Sequence, residues 1–239
     1  MNKANLMTAD EPSGVILEPF RPAEAISNIK ELWCLPEMDV NESGVADDAK
    51  LLELMMAGEE RGFVSLYRKY QSPVYRFSLQ ISGVPHVAEE VAQETFLALM
   101  RAPHKYQIER GPLVLYLFGI ARNLAWKGAR RDRLFAVFDE DRELSVVTVP
   151  DLAGDLARKE QVARVRRTVL CLPRKYREVL VLCSLQELSY EEAATVVGCS
   201  VGTVRSRMHR AKQLLLRKLK EGGLGEAAQR SSSVLGYGL

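Results

Sequence analysis

Apolar positions along the chain recur at helical spacing. Phe63, Leu66, Tyr67 and Tyr70 fall at i, i+3, i+4 and i+7, the spacing that lines one face of an α-helix. Leu113, Leu117, Ile120, Ala121 and Leu124 repeat the pattern, and Val204, Met208, Ala211, Leu215 and Leu219 form a third stripe. No sustained alternation of apolar and polar residues competes, so the pattern predicts an all-α fold of two small helical domains joined by a flexible linker. The domains are expected over 49–133 and 161–220, the second ending in a helix-turn-helix. The linker, 134–160, carries Asp139, Glu140 and Asp141, then Pro150 and Gly154. Residues 1–48 hold four prolines, many acids and weak periodicity, which predicts a mobile acidic arm with one short helix near Ala23–Trp33. Residues 221–239, rich in Gly and Ser, read as a flexible tail.

The net charge of +2 says little about partners, but its distribution says more. Residues 1–50 carry four bases against ten acids, a net of −6. Residues 101–133 carry eight bases against two acids (+6), and residues 166–220 carry twelve against four (+8). Separated basic blocks fit a polyanionic partner. The four cysteines, Cys34, Cys171, Cys183 and Cys199, stand far apart with no CxxC pair, so neither a disulfide framework nor a zinc site is expected, and no cofactor. Enzyme chemistry finds no support: there is no phosphate-cradling glycine loop, metal-ligand cluster or nucleophile–base signature. Met1 to Asp10 lacks the basic-then-apolar pattern of a signal peptide. The longest apolar stretch, Leu113 to Ala121, falls well short of the roughly 20 residues that span a bilayer. These features predict a cytoplasmic protein with no membrane insertion.

The second domain carries the sharper motif. Ala194, Gly198 and Val204 have the spacing of a helix-turn-helix: a small residue for close packing, a glycine for the left-handed turn, and an aliphatic anchor on the second helix. Ser189 is placed to cap the first helix, with Glu192 three residues on completing a capping box. Ser200 is placed to cap the second. The first helix is expected to bury Ala193, Ala194 and Val197. From Ser200 to Lys220 there are seven bases and no acid. A solvated basic face is the plain explanation, and a DNA-reading helix is the better one because the charge sits on the second helix of such a turn. Ser200, Thr203, Arg205, Ser206, Arg207, His209, Arg210 and Lys212 are the DNA-binding set, early residues reaching base edges and later ones phosphates. The fork of Arg205 matches the two acceptors of guanine. His209 fits a base-reading position and equally an uninvolved surface residue.

Leu172-Pro173-Arg174-Lys175-Tyr176-Arg177-Glu178-Val179-Leu180, followed by Leu188-Ser189-Tyr190-Glu191-Glu192-Ala193-Ala194 and Gly202-Thr203-Val204-Arg205-Ser206-Arg207, resembles the fourth conserved region of extracytoplasmic-function (ECF) sigma factors. Ala88-Glu89-Glu90-Val91-Ala92-Gln93-Glu94-Thr95-Phe96-Leu97 and Gly119-Ile120-Ala121-Arg122-Asn123-Leu124-Ala125 resemble the second. The matches cover about 50–133 and 161–219, in the order that the family has them. The resemblance implies a factor that binds core RNA polymerase and directs promoter-specific initiation, reading the −35 element as duplex and the −10 element as a melted strand. It implies that Glu89, Glu90, Gln93 and Glu94 dock on a coiled-coil of the polymerase, although a solvated acidic face also explains them. It implies that the helix of Asn123, Lys127, Arg130 and Arg131 captures the −10 strand, with the loop from His104 to Pro112 taking a flipped base.

That basic face suits a phosphate backbone leaving the duplex. Tyr106, Tyr116 and Trp126 are aromatic candidates for stacking, against the alternative of core packing; Tyr106 and Trp126 join the −10 set. The sequence departs from the family at Tyr116 (usually tryptophan), Lys127 (usually aspartate) and Val87 (usually aspartate). An anti-sigma factor is a further partner that the resemblance allows. The acidic arm has no counterpart in a minimal member, and its charge gives it a reason to cover a basic DNA face until polymerase binds. A stand-alone regulator with a helical sensing domain explains 161–220 equally well. A helical protein that binds RNA is a third reading. The regulator reading leaves the motifs of the first domain unexplained.

Overall fold

The periodic stretches fold as helices, and the described residues contain no strand. The structure, a computed structural model, describes residues 42–136 and 156–234, with side chains over 47–132 and 160–221. The helix expected near Ala23–Trp33, the docking of the arm, and 137–155 of the linker lie outside these residues.

The first domain comprises α1 (Glu42–Met56), α2 (Glu60–Ser82), α3 (Pro85–Arg101), two short 3-10 turns (Pro103–Lys105 and Ile108–Arg110) and α4 (Leu113–Ala136). Pro85 starts α3 after an extended Val84, a geometry that proline favours at a first helical turn. The core is aromatic where α2, α3 and α4 meet. Phe77 stacks on Phe118 at 4.7 Å, and Phe96 meets Tyr67 edge-on at 4.9 Å. Val87, one of the family departures, is fully buried against Gly128 of α4. A Cβ on Gly128 would stand 2.7 Å from Val87 Cγ1, so the apolar residue and the glycine let α3 and α4 approach. Val87 is therefore a packing residue and not part of a docking surface.

The helices overrun the expected boundaries. The arm predicted over 1–48 is already helical from Glu42. Asp48 is 1% exposed, bonded to Tyr70 Oη and to Lys69 Nζ at 2.7 Å. An acid that composition assigns to a mobile arm is instead neutralised in the core, and its hydrogen bond adds to burial in pushing the Tyr70 phenol far up. Helices α4 and α5 likewise enter the expected linker from both sides. Helix α8 continues to Val234, through most of the expected tail; no proline follows Pro173 to stop it.

The second domain comprises α5 (Leu156–Leu170), α6 (Arg174–Leu180) running into a π-type turn (Val181–Leu185), α7 (Tyr190–Val197) and α8 (Val201–Val234). Val204, Met208, Ala211, Leu215 and Leu219 are all buried, as the stripe predicts. Arg164 of α5 donates to Leu219 O, tying the first helix of the domain to the last. Burial pushes the Cys183 thiol up to about 11, against a small opposing pull from Lys212. At pH 8 its thiolate fraction is small, so iodoacetamide should alkylate exposed Cys171 well before Cys183; equal rates, read by mass spectrometry, would contradict this.

Candidate nucleic-acid and polymerase interface

The turn is built as its spacing predicts. Glu192 N–H donates to Ser189 Oγ (3.1 Å) and Ser189 N–H to Glu192 Oε2 (2.7 Å), a closed capping box. Gly198 adopts φ 73° and ψ 44°, and its N–H bonds Ala194 O at 2.8 Å, ending α7 in the left-handed conformation that favours glycine. Ser200 Oγ accepts from Thr203 N–H at 3.2 Å and starts α8. One detail differs: Ala193 and Ala194 are buried as expected, but Val196 is buried where Val197 was expected, and Val197 is half-buried. The reason is tertiary, since Val196 faces the first domain and is covered by it.

Helix α8 presents Arg205, Ser206, His209, Arg210 and Lys212 to solvent, while Thr203 and Arg207 are half-buried on its flanks. Several are positioned by neighbours. The Arg205 guanidinium lies 6.0 Å from the Tyr190 ring centroid, a cation–π contact that steadies it at the start of the helix. Ser206 Oγ donates to Thr203 O at 3.0 Å, and His209 Nε2 sits 2.9 Å from Gln213 Nε2. Arg210, beside Tyr176 of α6, holds its phenol below the usual tyrosine range.

In the first domain, Asn123, Lys127 and Arg130 share an exposed face of α4 at i, i+4, i+7. Arg131 is instead paired with Glu90 of α3. Tyr106 is half-buried: its hydroxyl donates to Gly111 O at 3.0 Å and its ring lies 5.7 Å from Tyr116. It ties the loop shut on itself, a strut more than a free stacking surface. Beside it opens a pocket of about 320 Å³ lined by Lys105, Arg110, Tyr116 and Asn123, and by Thr195 and Val196 of α7. Trp126, a candidate for stacking or for core packing, is 8% exposed. It lies beneath the guanidiniums of Arg174 and Arg177, each 5.1 Å from its ring centroid. An aromatic at helical spacing has gone where packing takes it.

The acidic strip on α3 divides into two rows. Glu90 turns toward α4 and pairs with Arg131, and Glu94 lies near Arg101 at 3.7 Å. Glu89 and Gln93 turn toward α2 and line a second pocket of about 320 Å³ with Tyr67, Tyr75 and Arg76. Along the same row, Leu97 and Met100 are 38% and 48% exposed. Sequence reasoning missed these two, because period alone does not separate a docking row from a core row. Their spacing, four and seven residues beyond Gln93, is the signal that was available.

Comparison with known proteins decides among the readings. Residues 66–134 match the model of sigma-70 region 2, and residues 163–215 match that of sigma-70 region 4. The chain belongs to the ECF group of RNA polymerase sigma factors. It is 34% identical to the RNA polymerase sigma-H factor of Pseudomonas aeruginosa, over 72% of this chain and 94% of that protein. It is 26% identical to the ECF RNA polymerase sigma factor SigW of Bacillus subtilis, over 72% and 96%. Its fold is similar to that of the sigma factor RpoE from Bartonella quintana, solved in complex with the anti-sigma factor NepR (TM-score 0.55, 26% identity, 66% of this chain and 96% of that one). As a sigma factor it binds core RNA polymerase and directs promoter-specific initiation. The match over 66–134 accounts for the motifs that a stand-alone regulator left unexplained. No helix among the described residues is long and apolar enough to cross a membrane.

Proposed function

We propose that this sigma factor grips its promoter at two points, with residues assigned as follows. Arg205, Ser206 and His209 face base edges of the −35 duplex, while Arg210 and Lys212 meet phosphates and Ser200, Thr203 and Arg207 frame them. Asn123, Lys127 and Arg130 carry the melted −10 strand toward the pocket behind Tyr106. The observation that supports this best is the one-sided exposure of the bases of α8 on a fully capped turn. Glu89 and Gln93, with Leu97 and Met100, form the polymerase-docking row; Glu90, Arg131 and Trp126 act mainly in holding the protein together. The factor works in the cytoplasm and does no chemistry of its own: binding energy holds the strand open. An anti-sigma factor is a fitting regulator, as in the Bartonella relative.

In vitro transcription from a genomic fragment library with core polymerase tests the whole reading, since promoter-specific starts require both grips. Within it, Arg205→Ala should lose discrimination at one −35 position, by about 1–3 kcal/mol. Lys212→Ala should weaken all sequences alike and lower the slope of log affinity against log salt by roughly 1. A uniform loss from Arg205→Ala would contradict its base-reading role.

A further inference from the structure

One end of the first domain presents an open apolar surface. Among the described residues four large apolar side chains are exposed, and three of them, Met56 (56%), Leu97 and Met100, belong to this end. The end of α1 lies on the start of α2, where a Cβ on Gly62 would stand 2.7 Å from Met55 N. The start of α2 lies in turn on the end of α3: Phe63 meets Phe96 edge-on at 6.4 Å, and Met100 follows Phe96 by one helical turn. Phe63 and Tyr67 are only half-buried, so they join the exposed residues into a patch. Leu97 and Met100 lie on the polymerase-docking row, but Met56, on α1, does not. Exposed apolar surface of this kind marks a binding site more often than chance.

The chain carries a segment fitted to this patch. Before the described structure begins at Glu42, Ala25, Ile26, Ile29, Leu32 and Trp33 fall at i, i+1, i+4, i+7 and i+8. On a helix these residues take one side, while Glu24, Ser27, Asn28, Lys30 and Glu31 take the other. Pro22 and Pro36 bound the segment. We infer that Ala23–Trp33 docks as an amphipathic helix on the patch of Met56, Phe63, Leu97 and Met100, and that core polymerase displaces it. The docking stands on stripe and patch alone; the displacement rests also on the docking-row reading above. The connection is long enough. Residues 34–41 span up to about 27 Å when extended, and α1 runs about 21 Å from Glu42 to Met56. Helices that lay such anchors into an apolar groove are a common mode of recognition. The acidic charge of the arm favours a basic face instead, but exposed charges are screened beyond about 8 Å at physiological salt, whereas apolar burial is not. A docked fraction of nine-tenths lowers apparent affinity for core about tenfold, because only the undocked form presents Leu97 and Met100.

Trp33 fluorescence reads the docking in the full-length chain, taken as the difference between each protein and its Trp33→Phe counterpart, in which Trp126 alone remains. Docked, Trp33 should emit to the blue of a water-exposed tryptophan and resist quenching by acrylamide. It should become water-like in Ile29→Gln/Leu32→Gln, which breaks the stripe, and equally in Met56→Gln/Met100→Gln, which breaks the patch. Both double variants keep the charge of the chain, and unchanged Trp126 emission reports that their fold is intact. In competition for core against the parent chain, the stripe variant should bind about tenfold tighter. A water-like Trp33 in the parent overturns the inference, and so does a Trp33 that stays shielded in the patch variant. Release of Trp33 by about 1 M salt would place the arm on a basic face and overturn it too. Shielding lost on dilution assigns the patch to the arm of a second copy, against docking within one chain. Unchanged core affinity in the stripe variant, with Trp33 released, overturns displacement by polymerase. Leu97→Asp that binds core as well as the parent overturns the docking row instead and leaves the docking of the arm standing.

Discussion

Arg177→Ala is expected to be the most destabilising single substitution in the second domain, by about 3–5 kcal/mol, lowering the midpoint of a far-UV thermal melt by on the order of 10 °C or more. Arg177 is buried, and its guanidinium donates to Leu170 O, to Leu172 O at 3.2 Å and to Ile81 O at 2.8 Å. The first two carbonyls lie at and just beyond the end of α5, where no helical N–H is left to satisfy them. Alanine leaves three acceptors, two of them buried, without their charged donor and removes one of the two cations over Trp126. Arg177→Lys should rescue little, since an ammonium on a flexible stem does not span carbonyls from three directions. A midpoint within about 2 °C of wild type would mean that water substitutes at all three sites.

Leu97→Asp is expected to abolish core-dependent transcription while leaving the fold and duplex binding intact. Leu97 and Met100 are apolar, exposed, and continuous with Glu89 and Gln93 along α3. An apolar centre with a polar rim is where binding energy concentrates in a protein interface. A carboxylate there should weaken polymerase association by about 2–4 kcal/mol, or some 30- to 1000-fold, measured by competition for core against the parent chain. Glu90→Ala should cost far less, because Glu90 is half-exposed and already paired with Arg131, and such surface pairs contribute about 0–1 kcal/mol. Equal loss from Glu90→Ala and Leu97→Asp would move the docking centre to the other row of α3.

The two predictions show how unevenly sequence informs on side chains. The capping box of Ser189 and Glu192, the glycine turn at Gly198 and the stripe from Val204 to Leu219 were legible because each depends on residues within a turn or two of one another. Trp126 and Arg131 show where period stops being informative. From sequence, both belong to a strand-capturing face, and in the structure one is roofed by α6 and the other is bonded to α3. Helical period reports which residues share a face. It does not report what that face meets.

By itself, then, the sequence determined the helices, the order of the two domains, the basic recognition helix and the family, all of which follow from local spacing and short motifs. Tertiary structure alone decided that Asp48 is a core residue, that the acidic strip splits into a row paired with α4 and a row facing α2, and that α7 walls the pocket beside Tyr106. The contacts behind them join residues far apart in sequence, 21 positions for Asp48 and Lys69 and 41 for Glu90 and Arg131. Their energies depend on which charges are buried together, and no periodicity along the chain records that.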